Sequence, residues 1–196
     1  MARPAGAGEQ TKKRIALKAK PLFEQKGYSA TTMDEIVATA GSSKGSIYYH
    51  FKRKEELFLY ILELTMQEWT DKWTRVSTPL HTATEKLYAL AELFATDFQN
   101  PLLKAAEEFA GSEMADPDIH ARLIEMTRMQ YPILQELLEE GMASGEFEPY
   151  DTSELMYIVL GLLGGLGVAY YDLGTEQIIP LYRKSIDILL RGIQKK

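Results

Sequence analysis

The ten residues from Ser42 to Phe51, SSKGSIYYHF, bring together side chains that can contact a phosphate group or the edge of a nucleic-acid base. Hydroxyl and ammonium groups bind phosphate oxygens, while hydroxyls, imidazole and tyrosine rings can contact base edges or a thymine methyl group. The chain of 196 residues is nevertheless acidic, with a formal net charge of −6. The elements that carry this segment must therefore explain why these groups are concentrated in one place.

Positive charge is concentrated in the first 60 residues, which have a net charge of +5, whereas the remaining residues have a net charge of −11. A basic end on an acidic chain is expected when only that end contacts a polyanion. A solvated basic surface without a partner would have the same charges. Charge alone therefore leaves both interpretations open.

Apolar residues recur at helical spacing along nearly the whole chain, and no segment alternates convincingly with the period of two expected of a strand. The sequence predicts an all-α protein of about nine helices, in which a small amino-terminal head of three helices precedes a larger body. The later helices are predicted at about residues 54–76, 83–98, 101–115, 117–143, 151–172 and 175–194. Pro132 is expected to kink the long helix over 117–143.

Two short helices of the head are separated by a tight turn. Thr32 and Glu35 form a capping-box pair at the start of the first helix, in which each residue satisfies a backbone amide of the other. Gly41 ends that helix, and the next begins two or three residues later with Ile47 and Phe51 on its inward face. A short helix, a turn containing glycine and a second short helix form a helix-turn-helix.

The outward face of the second short helix carries the groups that can contact nucleic acid. Ser46, Tyr49 and His50 have the spacing i, i+3, i+4 and face outward together, and Lys44 and Tyr48 form a flanking row. A surface aromatic patch on an ordinary short helix would explain the tyrosines alone. The capping box, the turn and the basic head together favour binding in a DNA major groove.

The segment Thr31–Phe58, TTMDEIVATAGSSKGSIYYHFKRKEELF, resembles the helix-turn-helix of the tetracycline-repressor (TetR) family of transcriptional regulators, and the preceding LFEQKGYSA fits the same pattern. The resemblance covers roughly residues 9–69 and rests on matching offsets of Gly27-Tyr28, Thr31-Thr32, Ala40-Gly41, Ser43-Lys44-Gly45, Ile47-Tyr48, His50-Phe51 and Lys54 with Glu55-Glu56-Leu57. It implies a DNA-binding domain over 9–69, with its motif at 32–51, and an effector-binding and dimerisation domain over 70–196.

The resemblance also implies DNA contacts for nine residues. These are Thr32, Ser43, Lys44, Gly45, Ser46, Tyr48, Tyr49, His50 and Lys54. Thr32 would lie near a phosphate group, and Lys54 corresponds to the lysine with which family members contact the DNA backbone. Ser42 departs from the family pattern, because the turn usually carries an apolar residue at this position.

The uncharged, glycine-rich segment Leu155–Tyr171 could be mistaken for a phosphate-binding loop or a membrane span. It lacks the Gly-Lys-Ser/Thr ending of the loop, and its 17 residues fall short of the roughly 20 that a span needs. We expect a helix that is buried on one side by its own core and on the other by a second subunit, with the last helix completing a four-helix bundle. This agrees with how the family dimerises, and the residues predicted for the interface are Gly161, Gly164, Gly165, Tyr182, Ile186, Leu189 and Ile193.

Aromatic and methionine residues of the body are expected to lie mostly in its core. The resemblance implies that some of them line an effector cavity between the fourth and eighth helices. The candidates are Trp69, Trp73, Phe98, Phe109, Met126 and Met129. Glu107, Glu108 and Glu125 could supply a counter-charge to a cationic ligand or could simply be solvated.

The chain has no cysteine, which excludes disulfides, cysteine-based zinc sites and thiol redox sensors. His50, His81 and His120 lie far apart, so we expect no metal site, and we expect no other cofactor. No local catalytic signature is present. The first residues lack the apolar stretch of a secretory signal, which together with DNA binding predicts a cytoplasmic protein.

The sequence therefore predicts a homodimeric, ligand-responsive, DNA-binding transcriptional regulator, with repression preferred over activation or corepression. Two recognition helices would enter successive major grooves, about 34–36 Å apart, on a palindromic operator, and a small, largely apolar effector would release the DNA. The alternative is an all-helical small-molecule-binding protein or enzyme with an incidental basic head. Such a protein would bind DNA weakly and without sequence preference.

Overall fold

The computed structural model describes residues 7–97, 100–113 and 116–193. These residues form ten α-helices and one 3₁₀-helix and no strand, which confirms the all-α class. The α-helices are α1 (Ala7–Lys26), α2 (Met33–Thr39), α3 (Lys44–His50), α4 (Lys54–Ser77), α5 (Ala83–Asp97), α6 (Leu102–Glu113), α7 (Pro117–Arg128), α8 (Tyr131–Ala143), α9 (Thr152–Gly165) and α10 (Thr175–Ile193). The 3₁₀-helix, Leu166–Tyr171, follows α9.

The single helix predicted over 117–143 is two helices in the structure. Helix α7 ends at Arg128, and α8 begins at Tyr131 with Pro132 in its first turn. A proline has no amide hydrogen, and its ring clashes with the carbonyl four residues earlier, which here belongs to Arg128. Pro132 therefore ends one helix and begins the next, and the prediction of a kink within one helix was wrong.

The described residues divide into two compact units. The first contains the residues up to Glu68 and Pro101–Met126, and the second contains Trp69–Asn100 and the residues from Thr127 onward. These units are defined by contacts between residues and not by function. The boundary between a DNA-binding domain over 9–69 and an effector-binding domain over 70–196 therefore stays a prediction.

The core of the first unit is rich in aromatic rings. The ring centres of Phe23 and Phe58 lie 4.7 Å apart, and Phe109 of α6 lies 5.1 Å from Phe58 and 4.8 Å from Tyr28. All four side chains are buried. Tilted and edge-to-face ring pairs add to the free energy gained by burial, so this cluster holds α1, α4 and α6 together.

The core of the second unit is formed by α5 and α8–α10, with α5 packed on α10 and α8 on α9. Gly141 of α8 allows a close approach in this core. A Cβ atom at Gly141 would overlap the ring of Phe147, which is fully buried, and would lie 2.9 Å from the Cβ of Ala83. The loop after α8 can therefore pack against α8 only because residue 141 has no side chain.

Thr152–Tyr171 is a 20-residue helical segment with a mean hydropathy of 1.5, long and apolar enough to span a membrane by length and composition alone. Its α-helical part ends at Gly165, next to Gly164. One face of α9 packs in the core of the second unit, as predicted, and the side chains buried there are Leu155, Met156, Val159 and Leu163. A helix in a soluble core meets the same criteria of length and composition.

Candidate nucleic-acid interface

The predicted capping box at the start of α2 is present. The Thr32 hydroxyl accepts a hydrogen bond from the Glu35 amide at 3.3 Å, and the Glu35 carboxylate accepts one from the Thr32 amide at 3.0 Å. The Lys26 ammonium forms an ion pair with the same carboxylate. Lys26, and after it the Thr32 amide and hydroxyl, lower the pKa of Glu35 to about 2. The carboxylate is therefore charged at neutral pH and fixes the backbone at Thr32.

Helix α3 is fixed by a serine cap and two buried side chains. The Ser43 hydroxyl accepts a hydrogen bond from the Ser46 amide at 3.2 Å. Ile47 and Phe51 are buried, as their spacing predicts. Gly41, with a φ of +60°, adopts the left-handed conformation that ends the preceding helix and starts the turn. These contacts fix the rotation of α3, so the opposite face is turned outward.

The outward face of α3 presents the predicted polar and aromatic groups. Tyr49 is 72% exposed, and its ring lies edge-on to that of His50, with centres 5.1 Å apart. Ser46, Tyr48 and His50 are partly exposed. A phenol and an imidazole held side by side can both reach base edges in a groove.

Lys44 is exposed and forms an ion pair with Asp34 at 3.3 Å. Exposed ion pairs are worth only about 0–1 kcal/mol, so Lys44 can exchange Asp34 for a phosphate group at little cost. At Gly45 an added Cβ atom would meet no atom of the described residues within 4 Å. Packing among these residues therefore does not require glycine at this position, and the bare backbone of α3 is open to close approach.

Lys54 is the first residue of α4, and its ammonium group is directed at the turn between α1 and α2. Its ammonium group donates hydrogen bonds to the carbonyl oxygens of Tyr28, at 2.8 Å, and Thr31, at 3.0 Å. It also lies 4.1 Å from the centre of the Tyr28 ring. Two of its three N–H groups thus hold the turn between α1 and α2. Contact between the third and a DNA phosphate stays a prediction.

Sequence reasoning missed the contribution of basic residues on α1. Arg14 donates a hydrogen bond to the Ser42 hydroxyl at 3.0 Å, and Lys12 lies 4.1 Å from the centre of the Tyr60 ring and 5.8 Å from that of Phe51. The Ser42 hydroxyl thus attaches the turn between α2 and α3 to α1. The only sequence signal for these contacts was the excess of positive charge.

The six residues predicted for an effector cavity lie in several places. Trp69 and Trp73 are buried in the core of the second unit, and Phe109 and Met126 are buried in that of the first. Met129 is 41% exposed, and Phe98 lies outside the described residues. The indole N–H of Trp69 is buried and has no hydrogen-bond acceptor within the part of the chain that the structure describes.

The three acidic side chains considered as counter-charges differ in their exposure and contacts. Glu107 and Glu125 are exposed, whereas the Glu108 carboxylate accepts a hydrogen bond from the Ser29 amide at 3.1 Å. Glu108 is therefore attached to the turn between α1 and α2.

The residues predicted for a dimer interface are only partly available to a second subunit. Gly161, Gly164 and Gly165 are exposed, and Leu189 is partly exposed. Tyr182 and Ile186 are fully buried in the core of their own chain, so they cannot face a partner while that core is intact. The prediction for these two residues is corrected, because the apolar stripe of α10 faces α5 and α9 of the same chain. Ile193 is largely buried but lines a surface groove together with Leu189, and its place in an interface stays a prediction.

Comparison with known proteins shows similarity along nearly the whole chain. Residues 15–61 match the family model described as "Bacterial regulatory proteins, tetR family", and residues 65–195 match the model "QacR-like protein, C-terminal region". The HTH-type transcriptional regulator QacR of Staphylococcus aureus is 32% identical over 185 residues, covering 94% of this chain and 98% of that protein.

One further relative and one solved structure of similar fold match most of the chain. The HTH-type transcriptional repressor KstR2 of Mycolicibacterium smegmatis is 28% identical over 190 residues, covering 89% of this chain and 86% of that protein. A crystal structure of a TetR-family regulator from Mesorhizobium loti superposes with a TM-score of 0.83 and 21% identity, covering 96% of this chain and 99% of that one.

Proposed function

The chain belongs to the bacterial TetR family of transcriptional regulators, and we propose that it is a homodimeric repressor that binds a palindromic operator through the outward face of α3. The observation that carries the proposal is the pair of the exposed Tyr49 and the partly exposed His50, held outward on a helix whose opposite side is anchored by Ile47 and Phe51. The relative KstR2 is a transcriptional repressor, and this similarity favours repression over activation.

The proposal divides the contacts by their chemistry. Ser46, Tyr49 and His50 face base edges, while Ser43, Lys44, Thr32 and Tyr48 face the phosphate backbone. The Ser43 hydroxyl accepts its capping hydrogen bond and keeps its own proton for donation. Gly45 allows the DNA backbone to approach α3. Lys54 contributes indirectly, by holding the turn before Thr32.

We propose that the partner subunit binds to α9 and α10. Tyr157 and Ile158 of α9 and Ile188 of α10 are exposed apolar side chains, and Ile158 and Ile188 line one groove together with Leu189. Apolar patches of this kind are common at interfaces between subunits. Two subunits related by a two-fold axis would present two α3 helices to successive major grooves.

The proposed effector is a small, largely apolar molecule that binds the body near Trp69 and Trp73. The buried indole N–H of Trp69 supports this position, because a buried donor without an acceptor is costly and a ligand oxygen or nitrogen would satisfy it. To change the population from 99% in the DNA-binding form to 99% in the released form, the effector must bind the released form more tightly by about 5.5 kcal/mol. The proposed activity is regulation without catalysis, in the cytoplasm, where the operator is accessible.

Selection of random duplex DNA by the purified protein, repeated at two salt concentrations, tests the proposal. We expect a palindrome with half-sites about 10 base pairs apart. The double variant Tyr49→Ala/His50→Ala should lose at least tenfold in operator affinity with an unchanged melting temperature, whereas Gln25→Ala, an exposed site on α1, should bind normally. Recovery of no motif, with affinity that only falls as salt rises, would refute operator recognition.

A further inference from the structure

The turn between α1 and α2, residues 27–31, fixes the position of Thr32 and therefore the start of the helix-turn-helix. Gly27 has a φ of +82°, and its carbonyl oxygen accepts a hydrogen bond from the buried Thr31 hydroxyl at 2.8 Å. The Lys54 ammonium holds the turn from the side of α4. Displacement of this turn would displace α2, and with it the cap at Thr32.

Helix α6 holds the same turn through Glu108. One carboxylate oxygen of Glu108 accepts a hydrogen bond from the Ser29 amide at 3.1 Å. Both carboxylate oxygens lie 2.6 Å from the position that a Cβ atom would occupy at Gly27. Glu108 therefore fills the space that the glycine leaves open, and it satisfies an amide that belongs to no helix.

The neighbouring residue strengthens this attachment. Phe109 is fully buried, and its ring lies 4.8 Å from that of Tyr28 in an edge-to-face arrangement. Consecutive residues of α6 thus contact consecutive residues of the turn, one pair through a hydrogen bond and the other through rings. Phe109 supplies burial, whereas Glu108 supplies a directional bond that fixes where the turn lies.

We propose that Glu108 is a positioning residue for DNA recognition, which holds the turn between α1 and α2 so that Thr32 and the helix-turn-helix have the geometry that the operator requires. This inference rests on the proposed function, and it assigns Glu108 a role other than that of a counter-charge for a ligand. The residue acts through Ser29 and Gly27, and it contacts no DNA.

The sign of the electrostatic effect makes the role testable. Removing a carboxylate from a protein that binds a polyanion raises affinity if charge alone matters. The carboxylate also lies against the carboxyl end of α1, where the helix dipole disfavours negative charge. A loss of operator affinity on removing Glu108 would therefore have to come from the lost contact with the turn.

Four variants separate geometry from charge. We expect Glu108→Ala to weaken operator binding about tenfold or more, because the free energy of one hydrogen bond to a charged group would no longer hold the turn in the geometry that binds DNA. Glu107→Ala, the exposed neighbour on α6, removes the same charge and should bind as tightly as the natural protein or slightly more tightly. Glu108→Gln keeps an acceptor oxygen at the same distance along the side chain, and its operator affinity should stay within about threefold of that of the natural protein. Glu108→Asp keeps the charge, but its side chain is one methylene group shorter. It should therefore bind the operator more weakly than Glu108→Gln.

Amide hydrogen exchange in the free protein provides a second readout. The Ser29 amide should exchange at least tenfold faster in Glu108→Asp than in Glu108→Gln, with little change in the core amides of α4. This comparison needs no DNA. It also remains informative if Glu108→Ala fails to fold, because the other two variants retain a side chain of similar size.

The inference is overturned if Glu108→Ala binds the operator as Glu107→Ala does, if Glu108→Asp binds better than Glu108→Gln, or if Ser29 exchange is the same in both. Failure of the proposed function would look different, since the natural protein would then select no operator. An operator recovered by the natural protein and bound equally by all four variants would refute the role of Glu108 alone.

Discussion

At the scale of single residues, the side chains around α3 differ in how firmly the protein itself holds them. Lys44 is exposed, pairs with Asp34 across the surface and lies 5.8 Å from the centre of the Tyr48 ring, so its ammonium group can exchange these weak contacts for a phosphate group. Lys54 is partly buried, with two carbonyl oxygens and a ring as partners. Two lysines ten residues apart thus differ in how firmly contacts within the protein hold them.

The salt dependence of DNA binding should separate these two lysines. Lys44→Met removes a phosphate contact and should reduce the slope of log K against log salt concentration by about 0.9. Lys54→Met keeps the apolar stem, loses two hydrogen bonds to the turn and should lower the free energy of unfolding by about 2 kcal/mol with little change in slope. Operator titrations at several salt concentrations and urea unfolding measure both quantities. A lower slope with unchanged stability in Lys54→Met would mean that this lysine mainly contacts phosphate.

At the scale of elements, the two helices of the motif have seven residues each and are too short to be stable alone. Their caps at Thr32 and Ser43 and the burial of Ile36 and Ile47 determine that they form. The boundary between α7 and α8 is likewise set by one residue, Pro132. Elsewhere a glycine decides how closely two segments approach.

Gly141 is the position where this close approach can be measured. Gly141→Ala places a methyl group against the Phe147 ring and Ala83, and we expect it to lower the free energy of unfolding by about 1–3 kcal/mol despite the better helix propensity of alanine. Gly111→Ala is the matched control, since a Cβ atom there meets no atom within 4 Å in the part of the chain that the structure describes. It should be neutral or stabilise the protein by up to about 1 kcal/mol. Equal urea midpoints for the two variants would contradict the packing described for α8.

At the scale of the whole molecule, charge and apolar surface are distributed unevenly along the chain. The first 60 residues carry +5 and the remainder −11, so DNA is attracted to the amino-terminal end and repelled by the rest. The exposed apolar side chains of α9 and α10 lie in the acidic part. The proposed function accordingly assigns a polyanion to the first surface and a second copy of the chain to the other.

Sedimentation equilibrium tests the proposed subunit interface. Ile158 is 57% exposed on α9, and Ile158→Asp should convert the dimer to monomer and weaken operator binding, since one head reads only a half-site. Ile124→Asp places the same charge on an exposed isoleucine of α7 and should leave the dimer intact. A dimer that persists in Ile158→Asp and dissociates in Ile124→Asp would move the interface to a different face.

Local spacing was sufficient to predict much of the motif. The capping box of Thr32 and Glu35, the left-handed Gly41 and the inward side chains Ile47 and Phe51 all follow from positions within four residues of each other. The all-α class follows from the same periodicity. These features could be predicted because helix caps and helix faces depend on neighbours in sequence.

The contacts that fix the motif in the molecule follow from no local pattern. Arg14 reaches Ser42 across 28 residues, Lys54 reaches Tyr28 across 26, and Glu108 reaches Ser29 across 79. Tyr182 and Ile186 form an apolar stripe that sequence alone could assign to a partner, and packing against α5 and α9 assigns it to the chain's own core. The sequence by itself determined the all-α class, the caps of the motif and which face of α3 turns outward, because those properties are local. Only the tertiary structure decided which charged groups hold the turn and which apolar faces remain exposed, because these depend on which distant segments pack together.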